Sequence, residues 1–402
     1  MIIQHLSFSR SGGAGQVARI LAKQQRMLGH ESELSYLLET DLWSEPFKDL
    51  RMTTSATLDK YLVSRGDWSG LTSFYRRRQN RANRIPITPN GPLHFHWIEG
   101  VLSHHEIARI VDSGRPVVWT LHDMAPFTGG CHHSLGCDGY KKECKGCPAV
   151  RIPFRLGVEK SQNRAKTEIK SARNFQLVSP SAWLAEKAQA SSVFSGFEVK
   201  VIENPIDPVF FTGHSKSEER RNLGLSDADL VCAVVASQLD NPHKGISNFA
   251  SAFFSLANNL GVAVKLLLIG SGGERIKEVN PGVVLVGSGD SGHVAKSLCT
   301  ADFLVSVSRA ESSGLVIREA GALSVPALVV SNGGSDELIQ DEINGLVFDS
   351  MSSLLTGLST LITNPHFFSQ MGLAASIQAE KSAKPSTSAN RYLDLYENLY
   401  RQ

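Results

Sequence analysis

Several features that would settle the class of a protein are missing from this 402-residue chain. No uninterrupted apolar stretch approaches the roughly 18 to 20 residues needed to span a bilayer, which argues against a membrane-spanning helix. Neither sign of charge is in excess: 41 Lys and Arg stand against 39 Asp and Glu, so there is no global electrostatic case for nucleic acid. There is no short-period repeat and no low-complexity segment, and hence no sign of a solenoid or a tether. Met1-Ile2-Ile3-Gln4-His5-Leu6 enters a strand pattern without the basic stretch of a secretory leader, so the expectation is a protein made and kept in the cytoplasm. Cysteine is scarce, and four of the six fall between 131 and 147.

Ordinary cores are well supplied, with 42% hydrophobic residues, and the length favours two domains of about 150 to 200 residues. Strands are predicted at 2–8, 32–38, 93–97, 117–121, 176–179 and 199–202, and again at 230–236, 264–269, 283–286, 302–307, 327–330 and 346–348. Most are short and apolar on both faces, as parallel strands covered by helices on each side must be. Two doubly wound, Rossmann-like α/β domains follow, over 1–203 and 204–384. The hinge is expected at Glu203-Asn204-Pro205-Ile206-Asp207-Pro208, where two prolines end the last strand of the first half. Residues 385–402 form a helix whose stripe of Tyr392, Leu393, Leu395, Tyr396, Leu399 and Tyr400 must pack on something, with the N-terminal domain as the expected partner.

Chemistry is expected at the carboxyl ends of strands. Ser308-Arg309-Ala310-Glu311-Ser312-Ser313-Gly314 leaves one such strand, and Gly314 lets the backbone turn into a helix whose free N–H groups face a ligand. Glu311 in the loop and Glu319 in the helix can then flank one hydroxyl-rich molecule; the plain alternative is a solvated loop and helix face. Lys244, in Asn241-Pro242-His243-Lys244-Gly245, suits a diphosphate as a point charge or is a surface lysine. Two Gly-rich turns also follow strands. One is Ser9 to Gln16, containing Gly12 and Gly13, and the other is Gly270-Ser271-Gly272-Gly273. Neither is a P-loop, since no Lys-Ser or Lys-Thr follows, and a plain tight turn remains the alternative. His94 and His96 alternate along a strand and share a face, open to metal binding or simple packing.

The ordered set Gly12-Gly13, Pro180-Ser181, Asn204-Pro205-Ile206-Asp207, Lys244-Gly245, Gly270-Ser271-Gly272, Ala301-Asp302, Glu311, Gly314, Glu319-Ala320, Gly333-Gly334 and Asn344-Gly345 resembles the family 4 retaining glycosyltransferases of GT-B fold. That fold is two Rossmann-like domains facing each other across a cleft. The stretch Thr120 to Cys131, containing His122-Asp123-Met124-Ala125-Pro126, looks like a subgroup that builds bacterial surface and exopolysaccharides.

The resemblance implies a UDP- or GDP-sugar donor, a glycan or polyprenyl-linked acceptor, retention of anomeric configuration, and no required catalytic metal. Lys244 and the amides around Gly314, Leu315 and Val316 would neutralise the donor diphosphate. Glu311 would hold hydroxyls of the transferred sugar, Glu319 the ribose hydroxyls, and His122 would face the reacting carbon. Gly12 and Gly13 would close over the diphosphate, and Gly270 belongs to the donor side. Gln238 stands where the family usually carries an arginine, and Ser313 where it carries an aromatic residue. Those departures leave open a catalytically silent nucleotide-sugar-binding partner of a glycan assembly complex, or an epimerase of the same fold.

Two signals stand apart. Cys131, Cys137, Cys144 and Cys147 occur with Cys-x₅-Cys-x₆-Cys-x₂-Cys spacing, which suits a structural zinc, free thiols or disulfides; a reducing cytosol disfavours the last. The run Arg76 to Arg84 is either a solvated helix face or a peripheral contact with an anionic membrane, such as the inner face of the cell membrane.

Overall fold

The computed structural model describes residues 1–10, 12–36, 90–99 and 102–401. Among these residues are two six-stranded sheets, and the chain divides into one unit of Met1–Glu203 with Ser388–Gln402 and a second of Asn204–Thr387.

In the first unit, β1 (Ile2–Ser7), β2 (Glu31–Tyr36), β3 (Leu93–Phe95), β4 (Val117–Thr120), β5 (Phe175–Ser179) and β6 (Val199–Val201) take the order β2-β1-β3-β4-β5-β6. All pairings are parallel. β4 and β5 are buried along their whole length, which is why Val-Val-Trp-Thr and Phe-Gln-Leu-Val-Ser need no polar face. The edge strand β2 reads Glu-Ser-Glu-Leu-Ser-Tyr and is mostly exposed or half-buried, as an unpaired strand border facing water requires. Trp119 anchors the core, with Phe95 and Phe194 edge-on to its ring.

The second unit holds β7 (Leu230–Gln238), β8 (Val264–Ser271), β9 (Val283–Val286), β10 (Phe303–Ser306), β11 (Ala327–Val330) and β12 (Gly345–Phe348), in the order β12-β11-β10-β7-β8-β9. Alternate residues of β7 go to opposite faces of the sheet. Cys232 and Val234 join Phe249, Phe253 and Phe303 on one side, while Val231 and Ala233 join Leu267, Ile269 and Ile317 on the other. Asp302, at the amino end of β10, accepts from the Arg220 guanidinium and from the Val231 amide, so this member of the quoted motif ties strands together.

The helix Pro385–Arg401 starts in the second unit, and from Ser388 onward it counts with the first. Ser388 Oγ donates to the Glu203 carbonyl at 2.7 Å, and Tyr392, Leu393, Leu395, Tyr396 and Leu399 are buried, whereas Tyr400, the last member of the expected stripe, is exposed near the helix end.

All twelve expected strands are present, with ends displaced by a residue or two. β3 is expected through Trp97 but stops at Phe95, because the Trp97 indole turns into the loops and donates to Asp123 Oδ2 at 2.9 Å. β7 runs on to Gln238 through a register slip after Val235. Among the described residues no helix is long and apolar enough to cross a membrane. The charge run Arg76 to Arg84 lies outside the described residues.

Candidate functional site

In the second unit the chain proceeds from β7 to β8 on one side and from β10 to β11 on the other, so the neighbours β7 and β10 mark the topological switch point. In open α/β sheets the crevice beyond such a point is where ligands bind. After β7, the Asn241 side chain accepts from the His243 amide at 3.0 Å and starts the tight turn Pro242–Lys244. Gly245 follows with φ +66°, and a side chain there would meet the Val307 carbonyl at 3.0 Å. After β10, the Arg309 amide donates to the His243 carbonyl at 2.8 Å, fastening the two loops together. Lys244 Nζ thereby reaches Glu311 Oε1 at 2.5 Å, with both side chains about a quarter to a third exposed.

Glu311 is further held by its backbone, which bridges to Gly333 and accepts from the Gly334 amide at 2.9 Å. Gly314 has φ +57° and opens the helix Leu315–Ala322. A Cβ there would lie 3.1–3.2 Å from the side chains of Ile317, Leu338 and Ser335, so both torsion and space call for glycine. No side chain caps this helix, which leaves the first-turn amides of Leu315 and Val316 available to an anion. Ser313 Oγ accepts from Asn204 Nδ2 at 3.2 Å. Glu319 is buried within the same helix, and Gln238 is exposed at the end of β7. Gly270 has a different reason for being glycine: its Cβ would fall 1.8 Å from the Ala236 carbonyl of the neighbouring strand.

Gly12, Gly13 and His122 belong to the first unit, where the switch point lies between β1 and β3. Gly12, with φ +82°, begins the helix Gly12–Met27 directly after β1. His122 follows β4, and its Nε2 lies 3.2 Å from His96 Nδ1. Its neighbour Asp123 accepts from the Trp97 indole and the Ala125 amide, which fixes the loop. Behind His122 sits a buried cluster that the sequence reading reached only through His94 and His96. His5 Nδ1 lies 3.0 Å from His96 Nε2, and His5 Nε2 lies 2.8 Å from Gln25 Oε1. His94 bonds Tyr396 Oη through Nδ1 and Thr120 Oγ1 through Nε2. Burial holds His5 and His122 down to about 4, and His94 and His96 well below the usual imidazole range. Ligand atoms of His5, His94 and His96 lie within 4.8 Å of one another. Both ring nitrogens of each already have a hydrogen-bond partner, however, which makes the cluster a polar network rather than a vacant chelate.

None of the six cysteines is in a disulfide. Cys131, Cys137, Cys144 and Cys147 line one cavity in the loop after His122. Cys137 Sγ accepts from the Gly139 amide at 3.4 Å. The hydrogen bond between Cys131 and Cys147 pushes the first thiol up and the second down. Burial pushes Cys144 up to about 12. Among the described residues, the three ligand atoms drawn within 4.8 Å of one another are the histidine nitrogens above rather than three of these sulfurs.

Residues 207–364, most of the second unit, match the family model of the group 1 glycosyl transferases. Among similar proteins is WcaC of Escherichia coli K12, named for colanic acid biosynthesis glycosyl transfer, 23% identical over 360 residues that cover 87% of this chain and 85% of the other. The N-acetyl-alpha-D-glucosaminyl L-malate synthase of Bacillus anthracis is 22% identical over 265 residues, 63% of each. Solved glycosyltransferases share the fold along the whole chain. Sucrose-phosphate synthase from Thermosynechococcus elongatus superimposes with a TM-score of 0.66 at 16% identity, covering 99% of both chains. Anabaena Alr3699/HepE, solved in complex with UDP-glucose, gives 0.62 at 16% identity and covers 99% of both. The two parallel sheets of this chain are those of the GT-B fold.

Proposed function

We propose that this chain transfers a sugar from a nucleotide diphosphate sugar to a hydroxyl of a glycan or lipid-linked glycan during polysaccharide assembly, with retention of anomeric configuration. The observation that carries the reading is the Lys244–Glu311 pair at the switch point, beside the uncapped helix that Gly314 opens. Breaking a sugar–phosphate bond develops negative charge on the leaving diphosphate and positive charge on the ring. A fixed ammonium and preorganised amides answer the first. The names of similar proteins agree in kind, since one is named for colanic acid biosynthesis and another was solved with UDP-glucose.

In this reading the entering diphosphate draws Lys244 away from Glu311, which frees the carboxylate to accept from hydroxyls of the transferred sugar. Glu319 accepts from the ribose and His122 faces the sugar near its reacting carbon, while Gly12 and Gly13 approach the diphosphate. Because Lys244 and the amides carry the charge, transfer needs no divalent cation. Cys131, Cys137, Cys144 and Cys147, which line one cavity, would hold a structural zinc that staples the loop following His122.

The test is release of nucleotide diphosphate from a panel of UDP- and GDP-sugars, with and without lipid-linked glycan acceptors. Release that depends on acceptor and survives EDTA is expected. A silent binding partner releases none with any donor, and an epimerase converts donor without acceptor; either outcome would sink the transferase reading.

A further inference from the structure

The histidines behind His122 form a directional chain. β1 and β3 pair with His5 opposite His94, and His96, two residues on, shares that face. The helix Gly12–Met27 lays Gln25 against His5, and the loop after β4 brings His122 to His96. The resulting order is Gln25 Oε1, His5 Nε2, His5 Nδ1, His96 Nε2, His96 Nδ1, His122 Nε2, with contacts of 2.8, 3.0 and 3.2 Å. Gln25, His5 and His96 are fully buried.

A neutral imidazole has one N–H and one bare nitrogen, so a chain of them can point in only two directions, and its end group chooses which. Gln25 Oε1 can only accept, and it also takes the Ser32 hydroxyl at 2.8 Å. His5 therefore donates from Nε2 and accepts at Nδ1, His96 does the same, and His122 must donate from Nε2.

We infer that Gln25, acting through His5 and His96, positions His122 as the Nε2-protonated neutral tautomer and leaves its Nδ1 as a bare hydrogen-bond acceptor at the carboxyl edge of the first sheet. The ligand this suits is a hydroxyl donor, not an anion. His122 is only partly buried, unlike the three residues behind it. That Nδ1 receives a sugar hydroxyl rests on the proposed transferase reading; the tautomer does not. The depressed basicity of all three rings, caused by burial, is consistent with a chain that carries no net charge at neutral pH.

Long-range proton–nitrogen spectra of the full chain labelled with ¹⁵N-histidine test this directly, with His122 assigned from the signals lost in His122→Gln. At pH 7, His122 is expected to show an unprotonated Nδ1 and a protonated Nε2. Gln25→Met removes the terminal acceptor at similar volume, so the His5, His96 and His122 signals should shift toward mixed tautomers. Ser32→Ala keeps the acceptor and should leave the pattern unchanged. A wild-type His122 that is protonated on Nδ1 or cationic at pH 7 overturns the inference, whether or not Gln25→Met folds. So does a folded Gln25→Met variant whose His122 signals do not move. If the tautomer pattern holds but no donor supports transfer, the proposed function fails and the relay stands.

Discussion

Lys244 and Glu311 form an ion pair, so a substitution at either removes one charge and takes the partner from the other. Lys244→Ala is expected to lower kcat/KM for the preferred donor by about 10²- to 10³-fold, the range for losing one preorganised transition-state contact. Lys244→Arg should restore part of this. Full activity in Lys244→Ala would remove it from the chemistry. At Gly314, alanine meets both a left-handed backbone and side chains at 3.1–3.2 Å. Gly314→Ala should cost about 1–3 kcal/mol in urea unfolding and weaken donor binding besides. The buried histidines set the acid limit. His5 and His122 are held near 4, below the roughly 6.5 of an unfolded chain, so the unfolded state binds protons first as pH falls. Their contribution is complete above about pH 6.5 and declines below it, by about 1.4 kcal/mol per pH unit for each ring acting independently. Equal unfolding free energies at pH 7 and pH 5 would contradict this.

At the scale of elements, strands and strand ends were legible while the network between them was not. Parallel strands covered on both faces read as short apolar runs, and β4, β5 and β8 are such runs. Lys244 and Glu311 were visible because each follows a strand by a few residues. Their direct contact was not, since it depends on β7 and β10 being neighbours although β8 and β9 lie between them in sequence. Alternation exposed His94 and His96, but His5 joins them only through the register of β1 on β3, which apolar patterning specifies loosely in strands buried on both faces. Tyr396 lies 302 residues from His94, beyond any local pattern. Tyr396→Phe leaves His94 Nδ1 buried without its partner and should cost about 1–3 kcal/mol, measured by urea unfolding against wild type. For the cysteine loop, protein purified without added metal should carry about one equivalent of zinc; less than about a tenth would remove the staple.

For the molecule as a whole, the quickest discrimination is a thermal-shift panel of nucleoside diphosphates and their sugars. A ligand at about 100 times its Kd stabilises the folded form by about 2.7 kcal/mol, so the cognate base should stand out, and a panel with no shift at all would argue against a donor site. The division into units also has a temporal side. The chain passes from the first unit to the second at 203/204 and returns at 387/388, so the first unit is written in two instalments. Domains emerging from the ribosome ordinarily fold in order of synthesis. Here His94 and Thr120 wait for Tyr396 and Tyr392, more than 270 residues later. The unit begun first is therefore the one completed last, and during translation its histidine network stays open until the second sheet has been made.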